Sequence, residues 1–254
     1  MGRVIAIANQ KGGVGKTTTA INLAASLSVA EKKTLLIDLD PQGNATSGFG
    51  VDAGTLEGNV YDLLISGKAF SQLVFHTEQH GLDLLPSHID LVGAEVELVG
   101  MNGRETVLRD RLKEVVDHYD FILIDCPPSL GLLTLNALTA AHTLLIPLQC
   151  EYYAMEGLKL LLNTMKRVKE SLNPGLEVEG ILLTMFDGRN NLSNQVSTEI
   201  QTHFGNEVFK NTIPRNITLA EAPSHGKPVL YYNAASRGAE AYLALAAEIL
   251  SRRV

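Results

Sequence analysis

The sequence predicts an α/β protein: a doubly wound, mainly parallel β-sheet flanked by helices on both faces. Three observations carry that prediction. Short runs of strand length alternate along the chain with helical patterns. Those runs are apolar throughout, which marks strands buried on both faces. The first of them, Val4-Ile5-Ala6-Ile7-Ala8, leads into Lys11-Gly12-Gly13-Val14-Gly15-Lys16-Thr17-Thr18 at the start of a helix. Strand, glycine-rich loop and helix in that order form a phosphate-binding unit.

The loop departs from the standard G-x-x-x-x-G-K-[ST] pattern at one end. Gly15-Lys16-Thr17 supplies the second half, but Gln10 stands where the first glycine belongs, with Lys11 beside it. The chemistry of the core is intact. Backbone N–H groups from Gly12 to Gly15 cup phosphate oxygens, the helix N-terminus adds positive potential, and Lys16 adds a point charge. Thr17 offers its hydroxyl to Mg²⁺. Lys11 sits at the wrong end of the loop to repeat the job of Lys16. Its position suggests a charge aimed at phosphates from another direction, such as those of a neighbouring subunit.

A periodic helix follows from Thr17 to about Ala30. Strands are predicted over Thr34-Leu35-Leu36-Ile37, ending at Asp38, and over Leu82-Asp83-Leu84-Leu85. Further strands are Phe121-Ile122-Leu123-Ile124 before Asp125, Thr143-Leu144-Leu145-Ile146 before Pro147, and Gly180-Ile181-Leu182-Leu183-Thr184 before Met185-Phe186-Asp187. Short β runs are expected near Val208-Phe209 and Pro228-Val229-Leu230. Helical patterns cover about 90–101, 104–118, 131–140, 155–171, 190–203 and 236–252. The stretches near 43–59 and 186–194 read as working loops of a single domain spanning 1–254, without linkers or repeats. Ligands of such sheets bind beyond the carboxyl ends of the strands, where the candidate residues fall.

Asp125 closes a strand, and an acid there, near a phosphate loop, can hold Mg²⁺ through water. Asp38-Leu39-Asp40-Pro41-Gln42-Gly43-Asn44 ends the second strand. Two residues apart in extended chain, Asp38 and Asp40 face the same way. Asp40 is assigned as the acid that orients an attacking water, and Asp38 as an indirect partner of Mg²⁺. The stretch is also turn chemistry, and both readings can hold. No other constellation competes. The histidines lack metal-ligand spacing, Ser129 lacks a G-x-S-x-G frame, and Cys126 and Cys150 read as buried thiols.

The chain has 254 residues, 45% hydrophobic and 19% charged, the make-up of an ordinary globular protein. No apolar run approaches the ~20 residues of a membrane span. The chain opens directly on the first strand, so no signal peptide is expected. Two cysteines fit a reducing cytoplasm. The net charge is −7, but residues 1–150 carry 10 Lys+Arg against 17 Asp+Glu while residues 151–254 carry 11 of each. Any nucleic-acid contact must come from a local patch, expected in the second part.

The motifs resemble the ParA/MinD ATPases over essentially the full length. Lys11–Thr18 looks like their deviant Walker A loop, Asp38–Asn44 their switch segment, and Phe121–Pro128 their Walker B strand. Within that family the chain is most similar to the ParA/Soj partitioning branch. The stretches that carry this are Asp125-Cys126-Pro127-Pro128-Ser129-Leu130-Gly131, Gln149-Cys150-Glu151-Tyr152-Tyr153-Ala154, Ile213-Pro214-Arg215-Asn216 and Leu219-Ala220-Glu221-Ala222-Pro223-Ser224-His225-Gly226-Lys227-Pro228.

The resemblance implies an ATP-closed homodimer with both nucleotides in the interface. Lys11 would reach the partner's phosphates, Lys16 and Thr18 would hold phosphates of their own subunit, and Thr17 would bind Mg²⁺. Asp40 would position water. Gly12 would lie where the chains nearly touch. Pro214 and Asn216 match positions that frame the adenine, with Asp187 nearby. The ATP form would bind double-stranded DNA without sequence preference, with Arg189 at a family DNA-contact position and Lys210, Lys227 and Arg237 as further candidates. Ile217-Thr218 stands where several relatives carry a basic residue. The partner implied is a ParB/Spo0J-type centromere-binding protein, and the location is cytoplasmic and nucleoid-associated. The helix-turn-helix region of larger plasmid-type relatives is not expected before the first strand.

Three other functions compete with this one. A MinD-like membrane-cycling ATPase needs an amphipathic C-terminal helix, whereas the tail from Ala239 reads as a small-residue helix packed on the sheet with arginines at 252 and 253. A metallocluster reductase related to nitrogenase iron protein needs four thiolates, two per subunit, and would have to use Cys126 and Cys150. A ParA-like positioner of another cargo is separated only poorly by sequence.

Overall fold

The computed structural model describes residues 2–252; Arg253 lies outside the described residues. Strand β1 (Arg3–Ile7) leads through the glycine loop into helix α1 (Lys16–Val29), and β2 (Thr34–Asp38) into the short helix α2 (Asn44–Gly48). The hairpin of β3 (Phe75–His76) and β4 (Leu82–Leu85) precedes α3 (Leu91–Val99) and α4 (Val107–Leu112). Then come β5 (Phe121–Asp125), α5 (Leu132–Ala140), β6 (Thr143–Gln149), α6 (Ala154–Ser171), β7 (Glu177–Thr184) and α7 (Asn191–Phe204). The chain ends through α8 (Ile217–Glu221), α9 (Val229–Tyr232) and α10 (Arg237–Ser251).

The sheet has seven strands in the order β3-β4-β2-β5-β1-β6-β7, parallel except for β3. The period-two alternation of side chains divides the core between its two faces. Val4, Ala6, Ile122 and Ile124 pack on the face covered by α3, α4, α5 and α6. Ile5, Ile7, Leu36 and Leu123 pack on the face covered by α1 and α10. Helix α10 turns Tyr242, Leu245, Ala246 and Ile249 into that second core, and the Tyr242 hydroxyl lies 3.2 Å from that of Thr19 on α1. Its apolar face is therefore occupied, as expected of a packed helix. No helix among the described residues is long and apolar enough to cross a membrane.

Four expectations are corrected. The run 228–230 is a helical turn, not a strand: the Pro228 carbonyl accepts from Tyr231 and Tyr232, and the Val229 amide donates to Asn22 on α1 at 2.7 Å. Near 208–209 there is only a single bridge, Val208 to Ile181. The helix expected over 104–118 is cut to α4 and a separate 3₁₀ turn at Val116–His118, because the chain tightens there before entering β5. The segment 43–59 is partly helical, in α2 and a 3₁₀ turn at Ala53–Thr55.

Candidate functional site

Register places the acids. In the parallel pairing of β2 with β5, Asp38 stands opposite Asp125, and Ile7 at the end of β1 also pairs with Asp125. Three strand ends therefore converge below the glycine loop. The loop is fixed to the strands beyond: the Asn9 amide donates to Pro147 O at 2.7 Å, and the Thr184 hydroxyl donates to Val14 O at 2.7 Å. Gly13 and Gly15 adopt φ of +73° and +87°, conformations that L side chains rarely hold. Gly15 caps α1 without any side-chain bond, so the first amides of α1 remain available to an anion.

Above this loop lies a cavity of about 510 Å³, bordered by Gly12, Gly13, Lys16, Thr17, Thr18 and Asp40. A second cavity of about 410 Å³ adjoins it and shares Gly15, Thr18, Met185, Leu219 and Ala220 with it. Its remaining walls include Ile213, Pro214, Asn216 and Tyr242. Both volumes are those of small-ligand sites. Met185, where they meet, holds a left-handed φ of +48°, a strained position for a side chain of that size. The Asn216 Oδ1 is buried with no hydrogen-bond partner, in a residue that lines the mostly apolar slot.

The electrostatics of the phosphate cavity favour added positive charge. Lys16 is buried, with its ammonium 3.3 Å from Lys11 O. Burial lowers its pKa, opposed by Asp125, Cys126 and Asp40. Burial also pushes the Asp125 carboxyl well above the usual carboxylate range, and Asp38 beside it adds to the shift; the Thr17 hydroxyl opposes it. That hydroxyl approaches Asp125 without completing a hydrogen bond, and both carboxylate oxygens are left without a partner. Asp40 and Asp125 beside one lysine, Asp125 without a hydrogen-bond partner, fit a divalent cation held by Thr17 and, through water, by Asp125.

Asp38 and Asp40 do not present alike. Asp40 borders the cavity and accepts from the Gln42 amide at 3.0 Å. Asp38 is fully buried and does not reach the cavity wall. Its oxygens accept from the Thr46 amide (2.8 Å), the Thr46 hydroxyl (2.7 Å) and the Asp40 amide (3.2 Å). Burial raises its pKa to about 6 against those bonds. The turn follows Asp40, whose carbonyl accepts from the Gly43 amide at 2.9 Å, and Asp38 anchors the segment through the Asp40 and Thr46 amides.

The other predicted residues are placed as follows. Lys11 is exposed and ion-paired with Glu151 of its own chain. Pro214 and Asn216 border the second cavity; Asp187 borders neither, its carboxylate being taken by Arg189 at 2.9 and 3.0 Å. Arg189, Lys210, Lys227 and Arg237 are all exposed. Arg237 opens α10, whereas Lys210 lies beside Glu248 near its end, so roughly 17 Å of helix separates those two.

Residues missed from the sequence are Asn9, Thr46, Ser87, Thr184 and Met185. Asn9, Ser87, Thr184 and Met185 lie at or just past the carboxyl ends of strands, and that position is the signal that could have found them.

Cys126 and Cys150 are buried free thiols, and no group of three or more potential metal ligands occurs among the described residues.

The glycine loop, the joined cavities and the buried acids define a nucleotide-binding protein of the phosphate-loop class. A family model described as an AAA domain matches residues 2–178. The chain is 55% identical over 252 residues to the chromosome partitioning protein ParA of Myxococcus xanthus, covering 99% of this chain and 89% of that one. It is 54% identical over 249 residues to the sporulation initiation inhibitor protein Soj of Bacillus subtilis, covering 98% of each. Among solved structures, cobyrinic acid a,c-diamide synthase from Mycobacterium smegmatis, with bound ADP and magnesium, superposes with a TM-score of 0.86 at 39% identity, covering 98% of this chain and 94% of that one. The chain belongs to the ParA/Soj family of chromosome-partitioning ATPases.

Proposed function

We propose that this chain is an ATP-switched dimer that binds double-stranded DNA without sequence preference in its ATP form. Hydrolysis, stimulated by a ParB/Spo0J-type centromere-binding partner, would release it and drive chromosome or plasmid segregation in the cytoplasm, on the nucleoid. The observation that carries the reading is the open edge of the loop. Lys11 and Gly12 are exposed there, and a Cβ built on Gly12 would meet no atom within 4 Å. A second subunit can approach that edge, and Lys11 can leave Glu151 for the partner's phosphates, since exposed ion pairs hold weakly.

Within one subunit, the loop amides, Lys16 and Thr18 hold the phosphates of ATP, and Pro214 and Asn216 frame the adenine. Asp40 accepts a hydrogen bond from water and orients it in line with the γ-phosphorus. The new P–O bond forms as the bond to the β–γ bridging oxygen breaks, leaving ADP and phosphate. Thr17 and Asp125 are the residues that would hold Mg²⁺, with Asp38 behind them; the ion, when bound, neutralises charge on the phosphates. No arginine borders the phosphate cavity among the described residues. Unassisted turnover is therefore slow, roughly 10⁻⁴–10⁻² per second for switches of this kind.

The test is DNA retention at low salt with no nucleotide, ADP or ATP. Binding specific to ATP, weakening steeply as salt is raised, is expected. Equal retention in all three states would sink the reading.

A further inference from the structure

Helix α3 is apolar on two sides. Leu91, Ala94 and Leu98 are fully buried against the sheet core. On the outward side Val92, Val96 and Val99 are 57%, 74% and 59% exposed, and Ile89 in the preceding turn is 58% exposed. Spacings of three, four and three residues set these four in one line, the seam of a helix that packs against another helix. Single exposed apolar residues are ordinary; four in line over about 15 Å are not.

The rim of this stripe is acidic. Asp90 and Glu97 flank it, Asp90 with His88 at 3.0 Å and Glu97 accepting from the Tyr61 hydroxyl at 2.9 Å. Arg104, the first basic residue after the helix, is committed to Glu105 at 3.0 Å and to Val99 O at 2.8 Å.

We propose that the α3 stripe is the docking site for a basic amphipathic helix of another protein, apolar along its seam and carrying Lys or Arg on its flanks. A second copy of this chain fits poorly. Pairing α3 with α3 would bring two acidic rims together, and a seam of three turns falls well short of the ~800 Å² per partner of a stable interface. A single helix laid along a stripe matches both the length and the charge.

The stripe also stands where docking bears on hydrolysis. Ser87, four residues before α3, donates its hydroxyl to Asp40 O at 2.7 Å and its amide to Thr46 Oγ1 at 2.9 Å. On the other side the Glu95 carboxylate lies against Gly131, in the segment that follows Asp125, and leaves no room there for a Cβ. The loop that leads into α3 and the helix itself thus border the two segments that carry the site's acids. The effect on turnover rests on the ATPase reading above; the docking itself does not.

The probe is a fluorescein-labelled synthetic peptide of three heptads with Leu on the seam and Lys and Arg on the flanks, beside a scrambled peptide of the same composition. Full-length protein without nucleotide should bind the seam peptide and not the scrambled one. Val92→Ser/Val96→Ser should weaken that binding by at least about tenfold, and Glu97→Lys several-fold, with melting temperatures unchanged because these side chains are exposed. With ATP and Mg²⁺, the seam peptide should raise turnover of the unmodified protein and leave the double variant at its basal rate. Equal peptide affinity in the unmodified protein and the double variant overturns the docking site. So does a dimer of the nucleotide-free protein that dissociates in the double variant, which would assign the stripe to a second copy. If the unmodified protein has no ATPase activity, the function proposed above fails, and anisotropy without nucleotide still decides the docking site.

Discussion

The Ser87 hydroxyl donates to the carbonyl oxygen of Asp40 at 2.7 Å, tying the end of β4 to the acid turn after β2. Thr46 completes the tie, donating its hydroxyl to Asp38 and accepting from the Ser87 amide. The backbone of Asp40 is therefore held from two sides while its carboxylate borders the phosphate cavity. Ser87→Ala leaves the Asp40 carbonyl with the Gly43 amide as its remaining donor, at 2.9 Å, and removes one hydrogen bond worth about 1 kcal/mol. That cost should fall on the placing of Asp40: turnover drops roughly 3- to 10-fold while ATP affinity stays constant. Asp40→Ala should remove turnover and keep ATP binding. Single-turnover kinetics beside nucleotide titration checks both, and wild-type turnover in Asp40→Ala would contradict the role given to that acid.

Gly12→Val isolates the dimer from the fold. Nothing in the single chain lies within 4 Å of a Cβ at Gly12, so the substitution should leave the melting temperature and ATP binding intact. Closure with a second subunit should fail, and light scattering with ATP should report a monomer. Gly15→Val is the contrast: its φ of +87° makes any side chain costly, by about 1 kcal/mol or more, and α1 begins there. A Gly12→Val dimer of normal stability would place the subunit contact elsewhere.

The sheet and the phosphate loop were legible because both rest on local signals. Runs such as Phe121–Ile124 have one stable environment, and Gly15-Lys16-Thr17 after a strand has one common use. The same reasoning failed at Pro228-Val229-Leu230, where three apolar residues looked like a strand but the Val229 amide is captured by Asn22, some 207 positions away. Sequence spacing also does not show that Asp38 is fully buried while Asp40 borders the cavity. The ties made by Ser87 and Thr46 are contacts between segments, and no local pattern marks which hydroxyl a buried carboxylate will find. The exposed line on α3 was hidden because Leu91, Ala94 and Leu98 already explain that helix as a core element.

Asn216 should set the choice of base. Its Oδ1 is buried without a partner in a residue that lines the second cavity, and a turn of the side chain that brings it to the cavity would give it a donor such as the exocyclic amino group of adenine. Guanine offers an acceptor at the equivalent position, and a buried acceptor facing an acceptor is disfavoured. Asn216→Ala should weaken ATP by roughly 5- to 10-fold and narrow the preference for ATP over GTP. Fluorescent-nucleotide titrations with both bases measure this, and an unchanged ATP-to-GTP ratio would remove Asn216 from base recognition.

Neither cysteine should react in the folded protein. Burial pushes the Cys126 thiol far up and the Cys150 thiol up to about 11, so the thiolate is scarce at neutral pH and shielded as well. Alkylation at pH 7.5 should proceed only as fast as the chain opens, at least about a hundredfold slower than in denaturant. Fast labelling of Cys150 would mean that the loop after β6 opens independently.

Asp187 should act on DNA binding through Arg189. Its carboxylate takes two side-chain bonds and the backbone amide of Arg189, and that pairing holds its pKa down to about 2. The pair is therefore fully ionised at any working pH, and the guanidinium is partly neutralised although its side chain is 91% exposed. Arg189→Ala should lower the affinity of the ATP form for DNA and reduce the slope of log affinity against log salt by about one. Asp187→Asn should do the opposite, freeing the guanidinium and raising affinity several-fold at low salt. Neither change should alter ATP turnover, since Asp187 borders neither cavity. If Asp187→Asn weakens DNA binding instead, the aspartate is holding Arg189 in the orientation that meets the phosphates, and the ion pair belongs to the DNA face as a unit.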